Sequence, residues 1–259
     1  MASVVDVFIT TKDRPHLLEK SLKSLVDSVQ STQIRTTVVI DGTHGPTCDV
    51  VNSFFRRGFI DHVLYHAENL GLAPSINQAL AHIDALNLYY GHTTHGDASQ
   101  VSDVVCYCQD DITYEKGWLT KLVRLFFMFE KQFNIGFASG AACPEHKEKT
   151  RITDGIVLKD WIRATHMLAR REYWMSMFPI PRFDVETNAV RAKPNDGVGS
   201  GVDWHFIRDH ENSVCKTGRT CLVIPGLVRH IGYKESTWLK RELPETADDL
   251  ARIEKELTK

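Results

Sequence analysis

Two adjacent carboxylates, Asp110 and Asp111, close an apolar β-type run, Val104-Val105-Cys106-Tyr107-Cys108-Gln109. Strand side chains alternate between faces, and the C-terminal edge of a strand in an α/β fold opens onto a crevice, so acids there reach a ligand without lying in the core. Paired carboxylates at such an edge could hold a divalent ion against a phosphate-bearing substrate. The dipeptide alone is equally compatible with turn or capping aspartates after a strand. The elements around it have to decide.

Those elements alternate. Val4 to Thr10 is β-rich; Asp13 is a candidate cap, Pro15 sits in a first helical turn, and Leu17, Leu18, Leu22, Leu25, Val26 and Val29 fit one helix face. Thr36 to Ile40 repeats the scheme, ending at the turn dipeptide Asp41-Gly42 before a helix over Cys48 to Arg57. A short strand at His62 to His66 and a helix over Ser75 to Leu88 lead to the acid-tipped strand. Strands alternating with helices imply a largely parallel sheet with right-handed crossovers, whose strand C-terminal ends converge on one site. Asp41 and the Asp110-Asp111 pair both occupy such ends. Gly91 to Asp103, with His92 and His95, reads as a solvated polar loop, because it has no apolar periodicity.

The second half changes character. Trp118 to Phe133 reads as a helix, Ile135 to Ala142 as a strand, Cys143 to Asp154 as a charged loop, and Gly155 to Arg170 as one or two strands. A short helix over Arg171 to Met177 precedes Pro179-Ile180-Pro181, and Glu186 to Gly201 reads as a long loop. Trp204 to His210 looks helical, Cys221 to Gly232 holds a final strand, and Glu245 to Lys259 is a polar amphipathic helix suited to packing or oligomerisation.

With 259 residues, 42% hydrophobic and 25% charged, the chain suits one large globular domain or two intimate ones. A formal charge of -2 gives no global reason to bind nucleic acid or an anionic membrane. Met1 to Thr11 lacks a signal-peptide pattern, and no apolar run approaches the ~18 to 20 residues that span a bilayer, so a cytoplasmic protein is expected. Six cysteines show neither zinc-site nor disulfide spacing; two lie in the apolar strand, and Cys215 could face Cys221 across a turn.

In this order the blocks resemble family 2 glycosyltransferases with a GT-A fold, over roughly residues 4 to 238. Val7-Phe8-Ile9-Thr10-Thr11-Lys12-Asp13-Arg14-Pro15 with Leu22-Lys23-Ser24-Leu25 is similar to the opening strand, turn and helix, and Val38 to Gly42 to the "VDDGS" strand end, with one acid fewer. Asn69 to Leu80 is similar to the "N-x-G-x-x-x-x-x-N-x-G/A" segment, and Gln109-Asp110-Asp111 falls at the DXD position with Gln replacing the first acid. Met167 to Glu172 and Phe183-Asp184 resemble acceptor-half blocks. Gly201-Val202-Asp203-Trp204 resembles the "ED" segment with Val202 in place of glutamate, and Val228-Arg229-His230-Ile231-Gly232 with Ser236-Thr237 resembles the "H-x-G…S-T" ending.

The resemblance implies a Rossmann-like, mostly parallel sheet with helices on both faces. It implies one domain over residues 1–238, with a nucleotide-sugar-binding half at 1–111 joined to a mixed α/β acceptor half at 112–238, and a helical tail at 239–259. The implied activity is metal-dependent, inverting transfer of a sugar from a nucleotide-diphosphate donor to an acceptor hydroxyl. Asp111 and His230 would hold the ion, Mn²⁺ in preference to Mg²⁺ for a mixed carboxylate and imidazole set. Asp203 would be the base. Thr10, Thr11, Arg14, Asp41, Asn69, Gly71, Asn77, Gln109 and Asp110 would face the donor, a UDP-sugar being slightly favoured over guanosine and thymidine donors. The acceptor stays open among glycan, small molecule, lipid-linked carrier and modified DNA base.

Rival classes are weaker. The Gly-rich basic loop of nucleotidyltransferases is missing between Ile9 and Leu17. Gly197-Val198-Gly199-Ser200-Gly201 follows a loop instead of a strand, which fails the dinucleotide-binding condition. A non-catalytic nucleotide-sugar or glycan binding module is the more serious alternative.

Overall fold

A computed structural model describes residues 4–29, 31–42, 45–92, 98–142, 148–153, 155–181, 202 and 205–232. Its first half is a run of crossovers: β1 (Val4–Thr11), α1 (Pro15–Ser28), β2 (Ile34–Asp41), α2 (Pro46–Arg56), β3 (His62–His66), α3 (Leu72–His92) and β4 (Ser102–Gln109). These strands are parallel in the order β3-β2-β1-β4, so the C-terminal ends of β1, β2 and β4 lie side by side.

The second half adds β5 (Ile112–Tyr114), α4 (Trp118–Phe129), β6 (Ile135–Ala141), β7 (Glu148–Thr153), β8 (Ile156–Lys159), β9 (His166–Arg170), α5 (Arg171–Met175), a one-turn π-type helix (His205–Asp209) and β10 (Thr220–His230). They extend the sheet as β9-β6-β10-β8-β7, with β5 paired to β10. β9 runs antiparallel to both β4 and β6, β10 runs parallel to β6, and the remaining pairings in this half are antiparallel.

Central parallel strands are covered on both faces, which is why they read as nearly unbroken apolar runs. Val5, Val7 and Ile9 of β1 pack with Leu18, Leu22 and Leu25 of α1 and with Trp118, Leu122 and Phe126 of α4. Phe8, on the alternate face, packs with Ile76 and Leu80 of α3, Trp174 of α5 and Phe206. The sheet is thereby covered on both faces.

Several sequence expectations change. Asp13 is not the cap of α1: it takes a left-handed φ of +50°, and Arg14 occupies the cap position without a side-chain cap bond. α3 begins at Leu72 and runs to His92, so the expected loop from Gly91 opens inside the helix and closes inside β4. α4 stops at Phe129. The charged stretch expected as a loop contains β7, whose exposed Glu, Lys and Arg suit an edge strand, where charge discourages pairing with other chains. Cys215 is exposed while Cys221 is buried, and both are free thiols. The loop expected at 186–201 and the helical tail lie outside the described residues.

Candidate active site

The acid pair sits where β4 ends and the chain turns into β5. Asp110 and Asp111 are both buried, with 0% and 2% of their surface exposed. Their neighbours come from the end of β1. Arg14 forks across the pair, Nη2 donating to Asp110 Oδ1 and Nη1 to Asp111 Oδ2, the latter at 2.6 Å. Thr11 Oγ1 donates to Asp110 Oδ2 at 2.7 Å, and Thr10 Oγ1 lies 3.1 Å from the Tyr107 hydroxyl inside the same crevice wall.

His230, the last residue of β10, places Nε2 3.3 Å from Asp111 Oδ2. Beyond it the backbone N–H groups of Ile231 and Gly232 donate to the Asp111 carbonyl, at 2.7 and 3.3 Å. A Cβ built on Gly232 would fall inside the Asp111 side chain, so only glycine lets the chain cross there. That is the physical content of the His-x-Gly ending.

Burial pushes the Asp110 carboxyl up to about 6 despite the opposing charge of Arg14. Burial acts on Asp111 too, yet the hydrogen bond and charge of His230, together with Arg14, outweigh it and hold that carboxyl below its ordinary value. Asp111 therefore keeps its charge to lower pH than Asp110 does. Its Oδ1 is buried with no hydrogen-bond partner among the described residues. A buried anionic oxygen left this way is costly unless a cation or donor completes it. One open carboxylate oxygen beside an imidazole is a donor set that fits a divalent ion such as Mn²⁺.

Asp41, at the end of β2, does something more local. Its carboxylate accepts from Leu70 N–H (2.8 Å), Gly71 N–H (2.9 Å) and His66 Nδ1 (3.0 Å). Asn69, its amide oriented to match its neighbours, donates to Asp41 Oδ2 and accepts from Lys12 Nζ, each at 2.8 Å. Those four bonds use the acceptor sites a carboxylate offers. Gly42 makes the approach feasible: its φ is +67°, and a Cβ there would overlap the Asn69 backbone.

The other expected donor-facing residues divide. Thr10, Thr11, Arg14 and Asp110 assemble with Asp111 and His230; Asp41, Asn69 and Gly71 form the adjoining cluster. Gln109 donates from Nε2 to Ala164 O at 3.2 Å and its side chain also hydrogen-bonds Tyr107, beside Thr10. Asn77 is bound at both ends of its amide to the backbone of Ile180, donating to its O at 2.7 Å and accepting from its N at 2.8 Å. Asp203 and the Phe183-Asp184 block lie outside the described residues. Sequence reasoning passed over Lys12 and His66, which the structure brings to Asn69 and Asp41; their only signal was position, at or just past a strand end.

A second cluster lies in the core below. Cys106 and Cys108 place their sulfurs 3.9 Å apart, and His166 Nε2 is 3.6 Å from Cys106 Sγ. Sequence spacing gave no hint of this meeting, because His166 arrives from β9. Gly140 N–H donates to His166 Nδ1 at 3.1 Å. The neutral ring therefore carries its proton on Nε2, aimed at the sulfur, where a metal would need the lone pair. Burial pushes the Cys106 thiol up.

A four-strand parallel half in the order 3-2-1-4, continued by a mixed half and carrying an acid pair at the β4 end, defines a GT-A type α/β fold. The chain belongs to glycosyl transferase family 2, whose model matches residues 6–183. That match ends before Asp203 and His230. Among curated proteins none matches this sequence. Among solved structures the chain is similar to the mannosyltransferase PcManGT from Pyrobaculum calidifontis in complex with GDP-Man and Mn²⁺, at a TM-score of 0.55 and 14% identity, covering 86% of this chain and 55% of that one. It is also similar to GalNAc-T7 with UDP, GalNAc and Mn²⁺, at a TM-score of 0.56 and 10% identity, covering 88% and 43%. The chain thus spans about half the length of these structures.

Proposed function

We propose that this glycosyltransferase transfers a sugar, with inversion, from a nucleotide-diphosphate donor to an acceptor hydroxyl, and that a divalent ion assists. The observation that carries the reading is Asp111: a buried carboxylate held in its charged form, with an oxygen that has no hydrogen-bond partner among the described residues, next to His230 at the strand edge where the family's acids lie. Asp111 and His230 are the residues that would hold the ion, and its chemistry would be to neutralise the charge that develops on the departing diphosphate. The Mn²⁺ in the two solved structures named above supports Mn²⁺ as first choice.

The chain's own groups supply the rest. Arg14, at the edge of the crevice, has the planar fork that suits phosphate oxygens. The Asn69 to Gly71 segment, fixed by Asp41, is the wall for the nucleoside, and Asp41 acts by shaping that wall. Gln109 acts as a positioning residue through its backbone partner Ala164, whereas Asn77 ties α3 to the segment that follows α5. Asp203 is the base: the acceptor oxygen bonds to the anomeric carbon, its proton passes to the Asp203 carboxylate, and the electrons of the breaking carbon–oxygen bond leave on the diphosphate. Attack opposite the leaving group inverts the configuration.

Paired variants test the roles. Asp203→Asn is expected to keep donor binding and lower transfer by roughly two to four orders of magnitude, the range for a lost general base. Asp111→Ala is expected to weaken ion and donor binding together, read by calorimetry. Full transfer in Asp203→Asn discards the base, and unaltered ion binding in Asp111→Ala discards the ligand.

A further inference from the structure

We infer that Arg14 is a built-in counter-cation that stands in for the divalent ion while no donor is bound and gives way when a diphosphate arrives. The inference rests on the proposed roles of Asp111 and His230 as ion ligands.

Three observations meet here. First, Arg14 bridges the acid pair: Asp110 Oδ1 and Asp111 Oδ2 accept from its fork, Thr11 donates to Asp110 Oδ2 and His230 lies against Asp111 Oδ2, which leaves Asp111 Oδ1 as the pair's oxygen with no hydrogen-bond partner among the described residues. Second, the two acids are almost fully buried while the Arg14 side chain keeps 29% of its surface exposed, so the guanidinium is the member of the cluster that can move. Third, Arg14 is held by a turn, not by a helix or strand interior: it follows Asp13 at φ +50° and sits at the N-cap of α1 with φ -128° and ψ 56°.

The electrostatics set the direction. Two buried carboxylates without a cation would be strongly unfavourable, and Arg14 offsets part of that charge. A divalent ion entering with Arg14 in place meets one net negative charge from Asp110, Asp111 and Arg14, and must share Asp111 with the guanidinium. A diphosphate offers the fork an equivalent pair of anionic oxygens at the crevice mouth. Arg14 can then pass from the acids to the phosphate, and the acids become free for the ion. Ion and nucleotide are coupled through one side chain, and linkage makes that coupling reciprocal.

Mn²⁺ binding to the whole chain, followed at pH 8 by the electron paramagnetic resonance signal of the free ion, tests this without turnover. Without nucleotide, Arg14→Gln is expected to bind Mn²⁺ roughly tenfold or more tightly than the native protein, since an unneutralised acid pair attracts a dication strongly. Adding UDP or GDP is expected to tighten Mn²⁺ on the native protein by a larger factor than on Arg14→Gln. Arg14→Lys, which keeps the charge and loses the fork, should fall between and serves if the glutamine variant does not fold. Equal or weaker Mn²⁺ binding in Arg14→Gln, with Asp111→Ala abolishing binding, overturns the inference and leaves the ligand assignment standing. No binding to native protein or variant, with nucleotide present, overturns both.

Discussion

A residue's type says what it can do; its partners say what it is doing. Asn77 is the sharpest case. Its place in the segment that resembles the family's implied a donor contact, and both ends of its amide bind the Ile180 backbone, stitching α3 to the segment that follows α5. Asn77→Ala should therefore cost stability, about 1 to 3 kcal/mol for the backbone groups it strands, and leave donor affinity measured below the melting transition nearly unchanged. A lost donor affinity with an unshifted melting midpoint contradicts this. The acids were legible from the opposite direction. Asp110 and Asp111 stood out because two carboxylates ended an apolar run, whereas the asymmetry between them depends on His230 arriving from β10, more than a hundred residues away, and no local pattern carries that.

At the scale of elements, alternation of strands and helices was readable because each strand is a short apolar run and each helix has a periodic face. What escaped was set by distant pairing. β7 has the composition of a loop and becomes a strand because β8 offers it a partner. The end of the sheet away from the acids holds another feature invisible in β1, where Asp6 interrupts an apolar segment. It is fully buried and paired across the register with Arg35 of β2, whose Nε and Nη2 donate to the carboxylate at 2.6 and 2.8 Å. Asn87 of α3 adds a third donor at 3.1 Å and accepts from Ser102 N–H of β4 at 2.6 Å. One carboxylate thus ties β1, β2 and α3 together and reaches β4 through Asn87. Arg35→Met leaves that charge buried and should cost about 3 to 5 kcal/mol, seen as a lower melting midpoint. An unchanged midpoint would mean that Asn87 and water suffice.

Across the whole molecule, the parallel half carries the acid pair past the end of β4 and the mixed half returns β10 to the same edge, so that His230 meets Asp111. Among the described residues no helix is long and apolar enough to cross a membrane. The family was legible because its blocks fall in order along the chain, and those at the ends of β1, β2 and β4 meet at one edge of the sheet. Donor and acceptor were not, because base and acceptor contacts depend on loop conformation and backbone groups that residue type does not encode. The central claim is sugar transfer from a nucleotide-diphosphate donor, and one measurement tests it most directly: released nucleoside diphosphate from a panel of UDP-, GDP- and TDP-sugars, with Mn²⁺ and with the ion chelated. The account predicts release from one donor, a uridine or guanosine sugar first, that falls to background on chelation. Release from none of them with Mn²⁺ present, while a donor still binds, would contradict it and make the protein a binding module.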